Sequence, residues 1–423
     1  MTRAAPERLW YPYAQHAVMD PPVFVRSAEG AHLHARDGRR IFDAVSSWWV
    51  NLHGHAHPAI ARAVAKQART LEHVLFAGFT HEPAQRLARG LCRIAPRGLE
   101  RVFLSDNGST AVEVALKMAA GYWKNRGEDR RLFVALEHAY HGDTFGAMAV
   151  SARGPFTAAY EPLLFDVRRL PFPEPGREQA ALDAFEGVLR SEGRRVAGLI
   201  VEPLVLGAGG MRMYSPEALK ALREICARGG IPFSADEVMP GFGRTGPLFA
   251  SEAAGISPDL LCLSKGLTGG FMALGATLAT EEIFRSFLSR DRGRAFFHGH
   301  SYTANPLACA AAVASLRVFE TEPVARRIER LSGLHRRELR RFAGNPRVAA
   351  VRQRGTIAAL ELRAGDPGYL SALAPKLQRF YLSRDVLLRP LGNVVYLLPP
   401  YCSQDRDIVS AYDAIEESIT LLG

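Results

Sequence analysis

The 423-residue chain is too long for one small core and long enough for two or three domains. Its 48% apolar and 23% charged residues are those of a globular enzyme and exclude a disordered or low-complexity chain. The formal charge of +10 rests on arginine, because only six of the 53 basic residues are lysines, and no basic run interleaved with aromatics marks a nucleic-acid arm.

Residues 1 to about 50 read as extended and turn-rich, with candidate strands at Val23–Val25 and Ala31–His34. Met1 to Tyr13 lacks an apolar core of the secretory kind, and no apolar run reaches membrane-spanning length. The five cysteines, Cys92, Cys226, Cys262, Cys309 and Cys402, are scattered among apolar neighbours, which predicts free thiols in a reducing compartment, the cytoplasm. Ser46-Ser47-Trp48-Trp49 is followed by His53, His55 and His57. Gly54 and Pro58 make that histidine stretch a loop, and no cysteine or carboxylate accompanies it, so no metal is expected. Pro58–Leu75 and Glu82–Ala95 read as helices.

From Val102 to about Phe319, strand-like and helix-like segments alternate, which predicts an α/β fold with a mainly parallel sheet. Arg101–Leu104 reads as a strand. Ser105-Asp106-Asn107-Gly108-Ser109-Thr110 and a breaker-free helix follow it. Glycine lets the backbone approach an anion, and a helix N-terminus offers unpaired amides, so this junction suits a phosphate. The same residues also suit a plain helix cap. Val196–Val201 is a buried strand leading to Glu202. Ile231–Val238 is an apolar strand that ends in Asp236, a carboxylate able to keep a buried ring nitrogen protonated. Lys265 lies 29 residues on, a gap that holds one crossover between neighbouring strands. It follows the apolar run Leu260–Leu263, whereas the other five lysines sit in helix-like segments. A lysine desolvated at a strand end is a nucleophilic amine that can bond an aldehyde, although an ordinary solvated turn also carries lysine.

After Asn305-Pro306 an alanine-rich helix runs to about Phe319, and a smaller domain begins. Its first helix carries the arginine-dense patch from Arg326 to Arg341 over Ile328, Leu331 and Leu339. That pattern is a solvated amphipathic helix. Strands are expected near Val348–Val351, Ile357–Leu362, Val386–Leu388 and Val394–Leu398.

Together Asp236-Glu237-Val238, Gly241-Phe242-Gly243-Arg244-Thr245-Gly246 and Ser264-Lys265-Gly266 resemble the core of the class III aminotransferases, which use pyridoxal phosphate (PLP). The resemblance spans about Leu9 to Tyr401. Further stretches are similar to the branch that aminates 8-amino-7-oxononanoate in biotin biosynthesis: Trp10–Tyr13, Ser46–Trp49, Tyr140–Met148, Gly207–Tyr214 and Arg389–Gly392. The resemblance implies PLP fold type I. A large domain (51–320) would carry a mostly parallel seven-stranded sheet, and the N-terminal segment (1–50) would join a smaller C-terminal domain (321–423). It also implies a homodimer with shared active sites and S-adenosylmethionine as amino donor. Lysine as donor, another ω-amine aminotransferase and a PLP-binding regulatory protein remain open.

The resemblance assigns roles by position. Lys265 would bond the cofactor and move the proton, Asp236 would pair the ring nitrogen, and Gly108 and Ser109 would hold the phosphate. Ser301 of the partner subunit would complete the phosphate site. Tyr140 and Val238 would cover the two ring faces. Tyr13, Trp48, Asp143, Gly299 and Arg389 would form the substrate pocket, with Arg389 on a carboxylate. Arg244 falls in a matching motif without an assigned role. Pro240 and His300-Ser301-Tyr302 depart from the pattern of relatives, though Ser301 keeps a hydroxyl.

Overall fold

The protein is described by a computed structural model covering residues 8–365 and 368–420. Three strands open the chain: β1 (Val25–Glu29), β2 (His32–Ala35) and β3 (Arg40–Asp43). β1 begins only at Val25, the last residue of the Val23–Val25 run, because β2 ends at Ala35 and its ladder with β1 runs only from Val25 to Glu29. The predicted 58–75 helix stops at Ala68. There the Thr70 hydroxyl donates to the Lys66 carbonyl at 3.2 Å, and Gln67 Nε2 donates to the Leu71 carbonyl at 2.8 Å.

The central strands are β4 (Leu99–Ser105), β5 (Leu132–Leu136), β6 (Val167–Leu170), β7 (Val196–Val201), a short ribbon of β8 (Val205–Leu206) and β9 (Arg212–Met213), then β10 (Phe233–Asp236), β11 (Leu260–Leu263) and β12 (Gly275–Thr280). Seven of them form one sheet in the order β4-β12-β11-β10-β7-β5-β6. Only β12 runs against its neighbours. β5, β7, β10 and β11 are buried at every residue, the continuous apolar pattern of strands covered on both faces. Gly108–Asn125 packs across β12, β11 and β7.

The C-terminal strands are β13 (Val348–Arg354), β14 (Ile357–Leu362), β15 (Val386–Leu387) and β16 (Val394–Leu397). β13, β14 and β16 form a three-stranded sheet, while β15 pairs in parallel with β3 and so joins the N-terminal sheet. The arginine-dense helix is Val324–Leu339, and it buries Ile328, Leu331 and Leu339 beneath its charged face. Among the described residues no helix is long and apolar enough to cross a membrane.

Candidate active site

Parallel strands end on the same edge of a sheet, and there the chain gathers its polar groups. Glu202 follows β7, Asp236 ends β10, Lys265 lies two residues past β11, and Tyr140–Asp143 follow β5. β4 runs parallel to these and delivers Asn107, Gly108 and Ser109 to the same edge. Trp48, Gly108, Ser109, Tyr140, Asp143, Asp236, Val238 and Lys265 all line one cleft of about 670 Å³.

Asp236 forms the floor. His141 Nδ1 lies 2.7 Å from its Oδ2, and the Val238 amide donates to its Oδ1 at 3.1 Å. His141 is buried, and its Nε2 has no hydrogen-bond partner among the described residues. Glu202 is also buried. It accepts from the Tyr140 amide through Oε1 and from the Gly207 amide through Oε2, each at 2.9 Å. Burial pushes its carboxyl up to about 7, with the Asp236 charge adding to the rise and His141 opposing it.

Lys265 opens partly onto the cleft, yet atoms packed around it desolvate the amine and lower its pKa to about 8. Asp236 and Glu202 hold it from falling further. Its Nζ sits 4.7 Å from the Trp49 ring centroid, and no hydrogen bond or ion pair to another described residue engages it. The backbone there has a φ of 43°, a left-handed conformation that a lysine rarely adopts.

The helix Gly108–Asn125 starts with a capping box. Asn107 Oδ1 accepts from the Thr110 amide at 2.9 Å, and Thr110 Oγ1 accepts from the Asn107 amide at 3.1 Å. The cap reading and the anion reading are therefore compatible, because the cap uses the third amide of the turn. Gly108 has no room for a side chain: a Cβ there would come within 2.7 Å of Val238 Cγ1. At Gly142, with φ 134°, a Cβ would meet Ser109 Oγ at 2.1 Å. Ser109 Oγ accepts from the Asp143 amide at 3.1 Å, which leaves its proton free to donate.

At the mouth, Asp143 accepts from both the Tyr13 and Tyr140 hydroxyls, the latter at 2.8 Å. Burial and this carboxylate raise Tyr13 to about 12, and burial raises Tyr140 as well. The Arg389 guanidinium lies 4.5 Å from the Trp48 ring centroid and donates to the Tyr369 hydroxyl at 3.1 Å. No carboxylate among the described residues pairs with Arg389.

Two expected residues lie elsewhere. Gly299 and Ser301 occupy an exposed turn outside this chain's own cleft. Arg244 is fully buried and also outside it. It donates to the carbonyls of Pro399 at 2.7 Å, Asn51 at 3.3 Å and Leu398 at 3.5 Å, with the Tyr401 ring 5.1 Å away. His53, His55 and His57 each have a separate partner, Ser315, Asp43 and Glu322. His141, Glu202 and Tyr369 were not foreseen. A YHG tripeptide beside a chosen tyrosine was the one available signal for His141.

A family model described as aminotransferase class III matches residues 13–419. The chain belongs to the class III aminotransferases. It is 50% identical to the adenosylmethionine-8-amino-7-oxononanoate aminotransferase of Synechococcus elongatus, with 97% of each chain covered. It is 39% identical to the protein of that name from Geobacter sulfurreducens, over 97% of this chain and 95% of the relative. Among solved structures it is similar to the enzyme of the same name from Methanocaldococcus jannaschii, with TM-score 0.91, 34% identity and 97% of both chains covered. It is also similar to an amine transaminase of an uncultivated Pseudomonas species in its PLP-bound form, with TM-score 0.93, 30% identity and 99% and 100% covered.

The family fold is PLP fold type I, an α/β architecture, and its cofactor is pyridoxal phosphate. The cleft suits that group. It offers a desolvated amine without a hydrogen-bond or ion-pair partner among the described residues, a buried carboxylate below it, and a helix N-terminus where side chains are excluded at Gly108 and Gly142.

Proposed function

We propose that this enzyme transfers an amino group from S-adenosylmethionine to 8-amino-7-oxononanoate, forming 7,8-diaminononanoate for biotin biosynthesis. The observation that carries the acceptor is Arg389. Its half-buried guanidinium has a hydroxyl but no carboxylate partner among the described residues, at the mouth of a PLP-type cleft. A planar guanidinium binds a carboxylate through two parallel hydrogen bonds. The names of the relatives, at up to 50% identity over nearly the whole chain, support the same reading.

PLP, when bound, supplies a ring that accepts the electron pair left by a departing proton. Asp236 would be the carboxylate that pairs the ring nitrogen, and His141 and the Val238 amide keep that carboxylate oriented. Lys265 Nζ would be the amine that holds the cofactor and the base that carries the proton at this atom. At pH 7 roughly a tenth of such amines are neutral, far more than for an ordinary lysine. The Gly108–Ser109 helix start would hold the phosphate, and Tyr140 and Val238 would bound the ring. Tyr13, Trp48 and Tyr140 offer faces that suit a sulfonium cation or an adenine, with Asp143 as countercharge.

We further propose a cytoplasmic homodimer in which Ser301 of the partner subunit completes the phosphate site. Segment 72–80 touches segment 297–305 through His73 and Tyr302. The pair exposes Leu75, Phe79, Phe297 and Tyr302, each more than 60% accessible, an apolar patch suited to a second copy. Gly299, on the same turn, would border the partner's substrate pocket. The division into a large domain (51–320) and a smaller body built from 1–50 and 321–423 is supported by the β3–β15 pairing.

The test is conversion of 8-amino-7-oxononanoate by the PLP-loaded enzyme, with S-adenosylmethionine or lysine supplied separately and the diamine read by mass spectrometry. Product with S-adenosylmethionine is expected. Product with lysine alone would reassign the donor, and no product with either would overturn the function.

A further inference from the structure

Five side chains from five separate segments close a ring at the mouth of the cleft. The Tyr13 ring lies 5.6 Å from Trp48, and Trp48 carries the Arg389 guanidinium at 4.5 Å. Arg389 donates to the Tyr369 hydroxyl at 3.1 Å. The Tyr369 ring meets Phe156 edge-on at 4.5 Å, and Phe156 meets Tyr13 edge-on at 5.8 Å. Tyr13 is tied in turn to Tyr140 and Asp143 in the cleft wall.

Arginine has many rotamers, and holding it in one costs entropy unless the surroundings fix it. Trp48 fixes the plane of the Arg389 guanidinium by stacking beneath it. It does not fix rotation within that plane. The Tyr369 hydroxyl does, because it accepts one N–H and thereby directs the remaining donors. Phe156 packs against the Tyr369 ring and holds the hydroxyl in place.

We propose that Tyr369 is a positioning residue for acceptor recognition. It orients Arg389 toward the terminal carboxylate of the acceptor, and Phe156 buttresses it. This rests on the acceptor reading given above. Selection for a carboxylate-terminated chain then depends on a residue that need not touch the substrate. The geometry makes the Tyr369 hydroxyl, rather than its ring, the discriminating group.

The experiment compares Tyr369→Phe and Tyr369→Leu with the unaltered enzyme in the PLP-loaded state. Two acceptors are used: 8-amino-7-oxononanoate and its terminal carboxamide, which lacks the negative charge. Calorimetric Kd values and kcat/KM are read for both. Tyr369→Phe is expected to weaken the acid on the order of three- to tenfold, mainly in Kd and KM, while the amide changes little. In an Arg389→Ala background the same change should have no further effect on the acid, the signature of a residue acting through Arg389. Equal loss for acid and amide would mean general packing and would overturn the proposal, as would no loss for either. If Tyr369→Leu folds poorly, Tyr369→Phe alone decides, since it removes a single oxygen. Failure of the unaltered enzyme to turn over the acid would sink the acceptor reading itself, an outcome distinct from an unchanged acid-to-amide ratio.

Discussion

His141 Nδ1 and Asp236 Oδ2 stand 2.7 Å apart on the floor of the cleft, although 95 residues separate them in the chain. The contact exists because β5 and β10 both flank β7, so the residues that follow or end them meet at one edge. A carboxylate held by a histidine and an amide cannot swing, and His141 therefore acts on the cofactor through Asp236. His141→Phe is expected to weaken PLP binding about tenfold, read by absorbance titration, from the loss of one charge-assisted hydrogen bond. Added to Asp236→Asn it should cost little more. Full additivity of the two changes would separate their roles.

Lys265 should carry the cofactor. Borohydride reduction of the PLP-loaded enzyme is expected to fix the label to the peptide containing Lys265, and label on any other lysine would reject the assignment. Because burial lowers its pKa to about 8, capture of PLP by apo-protein should speed up as pH rises toward 8 and level off above it. A rate still climbing through pH 10 would indicate an ordinary amine.

Arg389→Ala removes the charged partner of the acceptor carboxylate. KM for 8-amino-7-oxononanoate should rise ten- to a hundredfold, corresponding to roughly 1.5–3 kcal/mol, while PLP stays bound. Unchanged kinetics would move the carboxylate to another site.

Shared sites make a complementation test decisive. Subunits carrying Lys265→Ala, mixed with subunits carrying Ser301→Asp, form heterodimers with one doubly altered site and one intact site. Activity approaching half that of the unaltered dimer is expected, where each parent alone is impaired. No recovery despite verified heterodimers would count against a phosphate site completed across the interface.

Two buried histidines each favour the folded state less as pH falls. His53 and His335 are held near 3 by burial, against an ordinary value of 6.5, and they bond Ser315 and Tyr412. The unfolded chain therefore binds more protons between about pH 3 and 6.5. Their contribution is complete above pH 6.5 and is lost as pH falls, by up to about 1.4 kcal/mol per pH unit for each group. Glu202 and Glu237, raised to about 7 by burial, act in the opposite direction over the same range, so the histidine contribution is read as a difference: in thermal melts from pH 7 to 5, the melting temperature of His335→Gln relative to the unaltered enzyme should rise as pH falls. An identical slope in the variant would assign the acid sensitivity to other groups.

Lys265 and Asp236 were legible in the sequence because one closely follows and the other ends a short buried strand, and a charge in that place is a local signal. The Asn107–Gly108 junction was legible for the same reason. Glu202 carried the same local signal after β7, but its place beside Asp236, like that of His141, depends on strand order, and nothing local announces that β7 lies between β5 and β10. Tyr369 and Phe156 belong to irregular segments without periodicity, and they become neighbours only when the mouth of the cleft assembles. Arg244 was visible as a motif residue, but its three carbonyl partners lie 193, 154 and 155 residues away.

Those carbonyls belong to Asn51, Leu398 and Pro399, so one guanidinium ties the first eighth of the chain to its last tenth. The strand pairing of Val386–Leu387 with Phe42–Asp43 spans a comparable interval. During synthesis the N-terminal strands and the Trp48 loop must therefore wait for almost the whole polypeptide to leave the ribosome before their partners exist. The substrate mouth, built from both of these regions, is among the last parts of the molecule to form. A truncation that spares the entire central sheet but removes residues beyond about 385 would leave Lys265 and Asp236 at the edge of that sheet and Trp48 without its anchor.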